Sequence, residues 1–144
     1  MDAIDQKIIS ILQENARTPL KSIAEQVFLS SPAVSARIER MERDKIIAGY
    51  GVKVDQAQLG YQIAAFIHLE MLPTQKDEFY EFIEECHNVL ECDCVTGDFS
   101  ILMKVAFPDT NELEKFVDSI QQFGRTNTQI VLSTPVEARG LHMS

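Results

Sequence analysis

Proline and glycine are sparse, five and six in 144 residues, and there is no low-complexity tract. With 45% apolar residues, the chain can therefore bury a real core, enough for one domain or two small ones. Long apolar runs are missing too. The longest, Ile63 to Ile67, is far short of the roughly 20 residues of a membrane-spanning helix, which argues against membrane residence. Met1 is followed at once by polar, acidic sequence rather than by a signal-peptide pattern, so a cytoplasmic location is expected. Three cysteines is an odd count in such a chain and argues against a disulfide framework. Positive charge is scarce as well, 13 Lys and Arg against 22 Asp and Glu, a net −9 that at first speaks against a nucleic-acid partner.

The placement of the charges reverses that impression. Residues 1 to 54 hold eight Lys and Arg and seven Asp and Glu, a balance of +1, whereas residues 55 to 144 hold five and fifteen, a balance of −10. Such asymmetry predicts two domains with different partners, and the acidic rear part would be turned away from DNA while the front part faces it. The predicted organisation is a DNA-binding domain over 1–54, a linker over 55–61 and a second domain over 62–144.

Ile4, Ile8, Ile11 and Leu12 form one apolar helical stripe that Asp2 can cap and Asp5 can support in its first turn. Pro19 suits the start of a second helix, in which Leu20, Ile23, Ala24 and Val27 repeat the spacing. After a turn at Phe28-Leu29, Ser30 can cap a third helix with Val34, Ile38 and Met41 inward. The alternation of Tyr50, Val52 and Val54 then reads as a short wing strand. Two helices joined by a tight turn, the second capped by serine, make a helix-turn-helix whose second helix enters the major groove. At 100° per residue, Ala33, Ala36, Arg40 and Arg43 are expected to project most directly outward, flanked by Ser35, Arg37 and Glu39. The hydroxyls of Ser31 and Ser35, on the same helix as Ala36, can reach base edges or phosphates without bidentate geometry, so modest base reading is expected, with affinity mainly from backbone contacts by Arg17, Lys21, Arg37, Arg40 and Arg43.

The second domain repeats a unit. Ile63, Ala65, Ile67, Leu69 and Met71 alternate with Gln62, Ala64, Phe66, His68 and Glu70, a strand with one apolar face. A helix carrying Phe79, Phe82, Ile83 and Cys86 follows, then a strand over 89–96. Ile101, Met103, Val105 and Phe107 mark a third strand. Leu113, Phe116, Val117 and Ile120 mark a second helix, 34 positions after the first set, and a fourth strand spans 126–134. This β-α-β-β-α-β order predicts an α+β, ferredoxin-like domain, with helices on one sheet face and the other left bare at Ala64 and Phe66. A second copy is the simplest cover for that face, so a homodimer is expected.

The order of parts, with Asp5, Leu12, Arg17, the Leu29-Ser30 turn, Arg37, Met41, Ile46-Ile47-Ala48-Gly49-Tyr50 and Leu59-Gly60, closely resembles the Lrp/AsnC family of leucine- and asparagine-responsive (feast/famine) regulators. The resemblance implies a DNA-binding transcription regulator that dimerises, often assembles to octamers, and binds amino-acid effectors at subunit contacts of the second domain. By that resemblance the effector residues are Gly97, Phe99, Ser100, Thr126 and Thr128. Two positions depart from the family pattern. Phe28 stands where the turn usually has glycine, and Ser100 stands where an acid suited to an amino group belongs.

Other chemistries are weaker. Cys86, His87, Cys92 and Cys94 lack the Cys-x2-Cys spacing of a metal site, and reduced cysteines are common small buried residues, so no metal is expected. Siroheme decarboxylases are similar in architecture, but His68 and His87 offer only isolated histidines, which more often pack than catalyse. No enzyme and no cofactor are therefore expected. The competing non-enzyme reading is a nucleoid-architectural protein without an effector.

Overall fold

The computed structural model describes residues 1–143; Ser144 lies outside the described residues. The chain divides into two compact units, one made of Met1–Lys53 with the tail from Val136 on, the other of Val54–Pro135.

The first unit is three helices, α1 (Ala3–Glu14), α2 (Leu20–Val27) and α3 (Ser31–Arg43). Asp2 and Asp5 form a reciprocal capping box at the start of α1, each carboxylate accepting the other's backbone N–H, which satisfies donors that the first helical turn leaves unpaired. Ser30 caps α3 by accepting from the Ala33 N–H. Ile8, Ile11, Ile23, Ala24, Val27, Val34 and Met41 form the core, with Ile38 half-buried beside them. Between α2 and α3, Phe28 is left-handed at φ 58°, and the Leu29 N–H reaches back to the Ala24 carbonyl. This is a Schellman turn in a position where glycine is the unstrained residue. The same motif closes α3, with Lys45 left-handed and the Ile46 N–H bonded to the Met41 carbonyl.

One expectation fails in this unit. Among the described residues the wing strand does not form: residues 48 to 55 make no backbone–backbone hydrogen bond there, because the alternation of Tyr50, Val52 and Val54 supplies a strand face but finds no neighbouring strand. The tail reaches α1 at Leu141. There the Gln13 side-chain amide donates to the Leu141 carbonyl and accepts from the Leu141 N–H, both at 3.0 Å.

The second unit runs β1 (Ile63–Met71), α4 (Lys76–Glu84), β2 (Val89–Cys94), β3 (Ile101–Phe107), α5 (Thr110–Ile120) and β4 (Gly124–Ile130). The sheet is antiparallel with order β2-β3-β1-β4, so each helix bridges two parallel strands with a third between them: the split βαβ, ferredoxin-like arrangement. Ala65, Ile67, Leu69, Ile101, Met103 and Val105 pack against Phe79, Leu113, Phe116 and Ile120 of the two helices. α4 ends before Cys86, whose thiol donates to the Phe82 carbonyl from the turn that follows. The opposite sheet face carries Phe66, 36% exposed, in register with Lys104 and Gln129.

Candidate DNA-binding face and effector region

On α3 the exposed stripe is Pro32, Ala36, Glu39 and Arg43, turned partly away from the expected Ala33, Ala36, Arg40 and Arg43. The cause is an ion-pair network. Asp5 is completely buried, and it accepts from Arg37 at 3.0 Å and from Arg40, while Arg37 also reaches Asp2 at 2.8 Å. Burial pushes the Asp5 carboxyl up, but the Asp2 N–H and the two guanidinium groups outweigh it and hold the acid below its ordinary range. The Asp5 N–H and Arg37 lower Asp2 to about 2, and Arg37 is raised in turn by Asp2 and Asp5. Arg37 and Arg40 thus tie α3 to the start of α1, and their charge is largely answered inside the unit.

Arg17, Lys21 and Arg43 are exposed and make no ion pair among the described residues. Ser31 and Ser35 are half-buried and Ala36 is exposed, so the front of α3 is narrow and free of bulky side chains. Sequence periodicity placed the helix correctly. It could not see Asp5 drawing in an arginine 35 positions away.

In the second unit, Gly97 is left-handed at φ 103° in the turn between β2 and β3, which the Val95 N–H closes onto the Ser100 carbonyl at 2.8 Å. Phe99 packs edge-on to His68 at 6.1 Å between ring centres, and the Arg125 guanidinium lies 5.3 Å from the centre of the Phe99 ring while also pairing with Glu70 at 2.8 Å. His68 and Glu70 alternate with the core residues of β1, so this group lies on the open face of the sheet. Thr126 and Thr128 stand opposite Leu69 and Ile67, and cross-strand partners share a face, so both hydroxyls lie on the helix-covered side. Phe99 therefore lies on the open face with His68, while Thr126 and Thr128 lie on the helix-covered face, so these expected effector residues do not share one face of the sheet. Sequence reasoning named Phe99 but missed its grouping with His68, Glu70 and Arg125, because these residues are scattered over three segments that only strand register joins.

Burial raises the Cys86 and Cys92 thiols, Cys94 lies 2.9 Å from the Tyr80 hydroxyl, and among the described residues no three His, Cys, Asp or Glu side chains are placed to share a metal. Nor is any described helix long and apolar enough to cross a membrane.

A capped helix-turn-helix ahead of a ferredoxin-like sheet domain defines a two-domain class of helix-turn-helix proteins. Residues 1–42 match the AsnC-type helix-turn-helix domain, and residues 64–141 match the Lrp/AsnC ligand binding domain. The chain is 32% identical to the HTH-type transcriptional regulator LrpB of Bacillus subtilis over 133 residues, 92% of this chain and 88% of that one. Among solved structures, E. coli AsnC superposes with a TM-score of 0.86 at 29% identity, covering 96% of each chain. A feast or famine regulatory protein from M. tuberculosis complexed with L-methionine superposes with a TM-score of 0.90 at 27% identity, covering 97% of each. The chain belongs to the Lrp/AsnC family of HTH-type transcriptional regulators.

Proposed function

We propose that the chain acts in the cytoplasm as a homodimer, assembling further to an octamer, that binds duplex DNA through α3 and regulates transcription without being an enzyme. The observation that carries this reading is the front of α3, where small side chains allow close approach to base edges beside the exposed cations Arg17, Lys21 and Arg43. Ser31, Ser35 and Ala36 face the groove, and Arg37 and Arg40 hold the helix in place rather than supplying most of the phosphate contacts. Dimerisation is supported by apolar surface that one chain leaves uncovered: Phe66 on the open sheet face, and Tyr50, Val52 and Val54 in a segment with no backbone partner among the described residues. A two-fold pair also places two recognition helices about 34 Å apart on successive major-groove faces, compensating for the weak grip of one small domain.

The effector reading is narrower. The M. tuberculosis relative is complexed with L-methionine. In this chain Gly97, Phe99, Ser100, Thr126 and Thr128 would have to be completed across a subunit contact. Ser100 supplies no carboxylate for a cationic amine, whose burial a hydroxyl offsets only in part, so ordinary amino acids bind weakly. Gel shifts comparing the promoter of the neighbouring gene with random curved DNA test the regulator reading. Selective retention of the promoter is expected, and equal retention of both favours an architectural protein. Light scattering that finds a monomer at micromolar concentration contradicts the dimer.

A further inference from the structure

Glu39 lies in the exposed stripe of α3, one turn beyond Ala36 and one turn before Arg43. Its carboxylate makes no hydrogen bond or ion pair among the described residues, not even with Arg43 four positions on, the spacing at which helical pairs form. A free carboxylate on the face that approaches DNA is repelled by every phosphate, so it weakens binding wherever it has no specific partner. The major groove offers such a partner. The cytosine N4 amino group is a donor that a Glu or Asp side chain accepts from, whereas guanine and thymine present only acceptors there and adenine sets its N6 donor beside the N7 acceptor, which repels a carboxylate.

The geometry fits that partner. Pro32 and Ala36 carry no long side chain, so the first two turns of α3 can enter the groove. Glu39 follows about 4.5 Å along the axis from Ala36, on the same exposed stripe. Ser31 and Ser35 are half-buried, and Arg37 and Arg40 are tied to Asp2 and Asp5. Glu39 is therefore the one long acceptor on this stripe still free to read a base, with Arg43 beyond it placed for phosphate.

We infer that Glu39 is a specificity-determining residue, its carboxylate accepting a hydrogen bond from a cytosine N4 amino group in each half-site. This rests on the DNA-binding reading of α3. It implies that Glu39 lowers affinity for most sequences and restores it only where cytosine stands at one position, so the residue rejects wrong sites as much as it holds the right one.

Selection from a randomised duplex library with the full-length protein tests this, comparing the wild type with Glu39→Ala, Glu39→Gln and Arg43→Ala. Circular dichroism serves as the check that each variant is folded. The wild type is expected to require cytosine at one position per half-site, discriminating roughly ten- to a hundredfold against the other bases. Glu39→Ala is expected to lose that preference while binding unselected DNA more tightly, and Glu39→Gln to move it towards adenine, which a carboxamide reads through N6 and N7. Unchanged base preferences in both Glu39 variants, with binding weakened by Arg43→Ala, would overturn the role of Glu39 and leave the DNA-binding reading standing. No enrichment by the wild type and no effect of Arg43→Ala would overturn both.

Discussion

Replacing Asp5 by asparagine keeps the side-chain volume but removes the charge on which Arg37 and Arg40 converge. The carboxylate is wholly buried and accepts three charge-assisted hydrogen bonds, from the Asp2 N–H, Arg37 and Arg40. Breaking a buried ion pair by deleting one partner typically costs about 3–5 kcal/mol, because the other charge is stranded. Here the two arginine side chains keep 27% and 41% of their exposure, so water recovers part of their solvation. The cost should fall near the lower end, about 3 kcal/mol, or roughly a hundredfold in the opening equilibrium of the helical unit. Hydrogen exchange followed by mass spectrometry on the full chain reads this locally, as faster exchange of α1 and α3 amides. A change below tenfold would mean that the network does not hold α3 in place. The same network sets an acid limit. Asp2 is lowered to about 2 from the ordinary 3.8, so its stabilisation is complete above the ordinary value and is lost as pH falls towards about 2, and the lowered Asp5 adds a loss of the same sign as acid protonates it. Acid exchange profiles of α1 should show this loss in the wild type and much less of it in Asp5→Asn.

Other perturbations follow from single positions. Phe28 is left-handed and 92% exposed, so Phe28→Gly removes backbone strain at little packing cost; it should stabilise the helical unit by up to about 1 kcal/mol in urea melts, and a loss of stability would show that the ring is held by contacts. At Gly124 a Cβ would sit 2.0 Å from the Glu70 carbonyl oxygen, so Gly124→Ala should destabilise the sheet domain by about 2 kcal/mol or more, and a neutral result would contradict the close approach of β4 to β1. Ser100→Asp should create or strengthen calorimetric binding of an apolar amino acid, whereas tight leucine binding by the unaltered protein would refute the role given to Ser100.

What could be read from the sequence was what local periodicity and capping determine. The stripes Ile4-Ile8-Ile11 and Val34-Ile38-Met41 placed α1 and α3, Ser30 marked the recognition helix, and the 34-residue offset between Phe79 and Leu113 disclosed the repeated β-α-β unit. Unread were the features that depend on chain segments far apart. Arg40 looked outward on a helical wheel, yet Asp5, 35 residues earlier, draws it in. Tyr50, Val52 and Val54 alternate as a strand does, but a ladder also needs a neighbour, and none pairs with them among the described residues. Gln13 binds the tail 128 residues later through backbone groups, which leave no trace in side-chain pattern.

The measurement that bears most directly on the central claim is a salt titration of DNA binding by fluorescence anisotropy, with wild-type protein and Arg43→Ala on the same duplex. Each phosphate contact contributes close to one unit to the slope of log affinity against log salt. The predicted result is tight wild-type binding at low salt and a slope shallower by about one in the variant, with Glu42→Ala, on the neighbouring face of α3, leaving the slope unchanged. Identical slopes and affinities for the wild type and Arg43→Ala would contradict the docking of α3 on DNA.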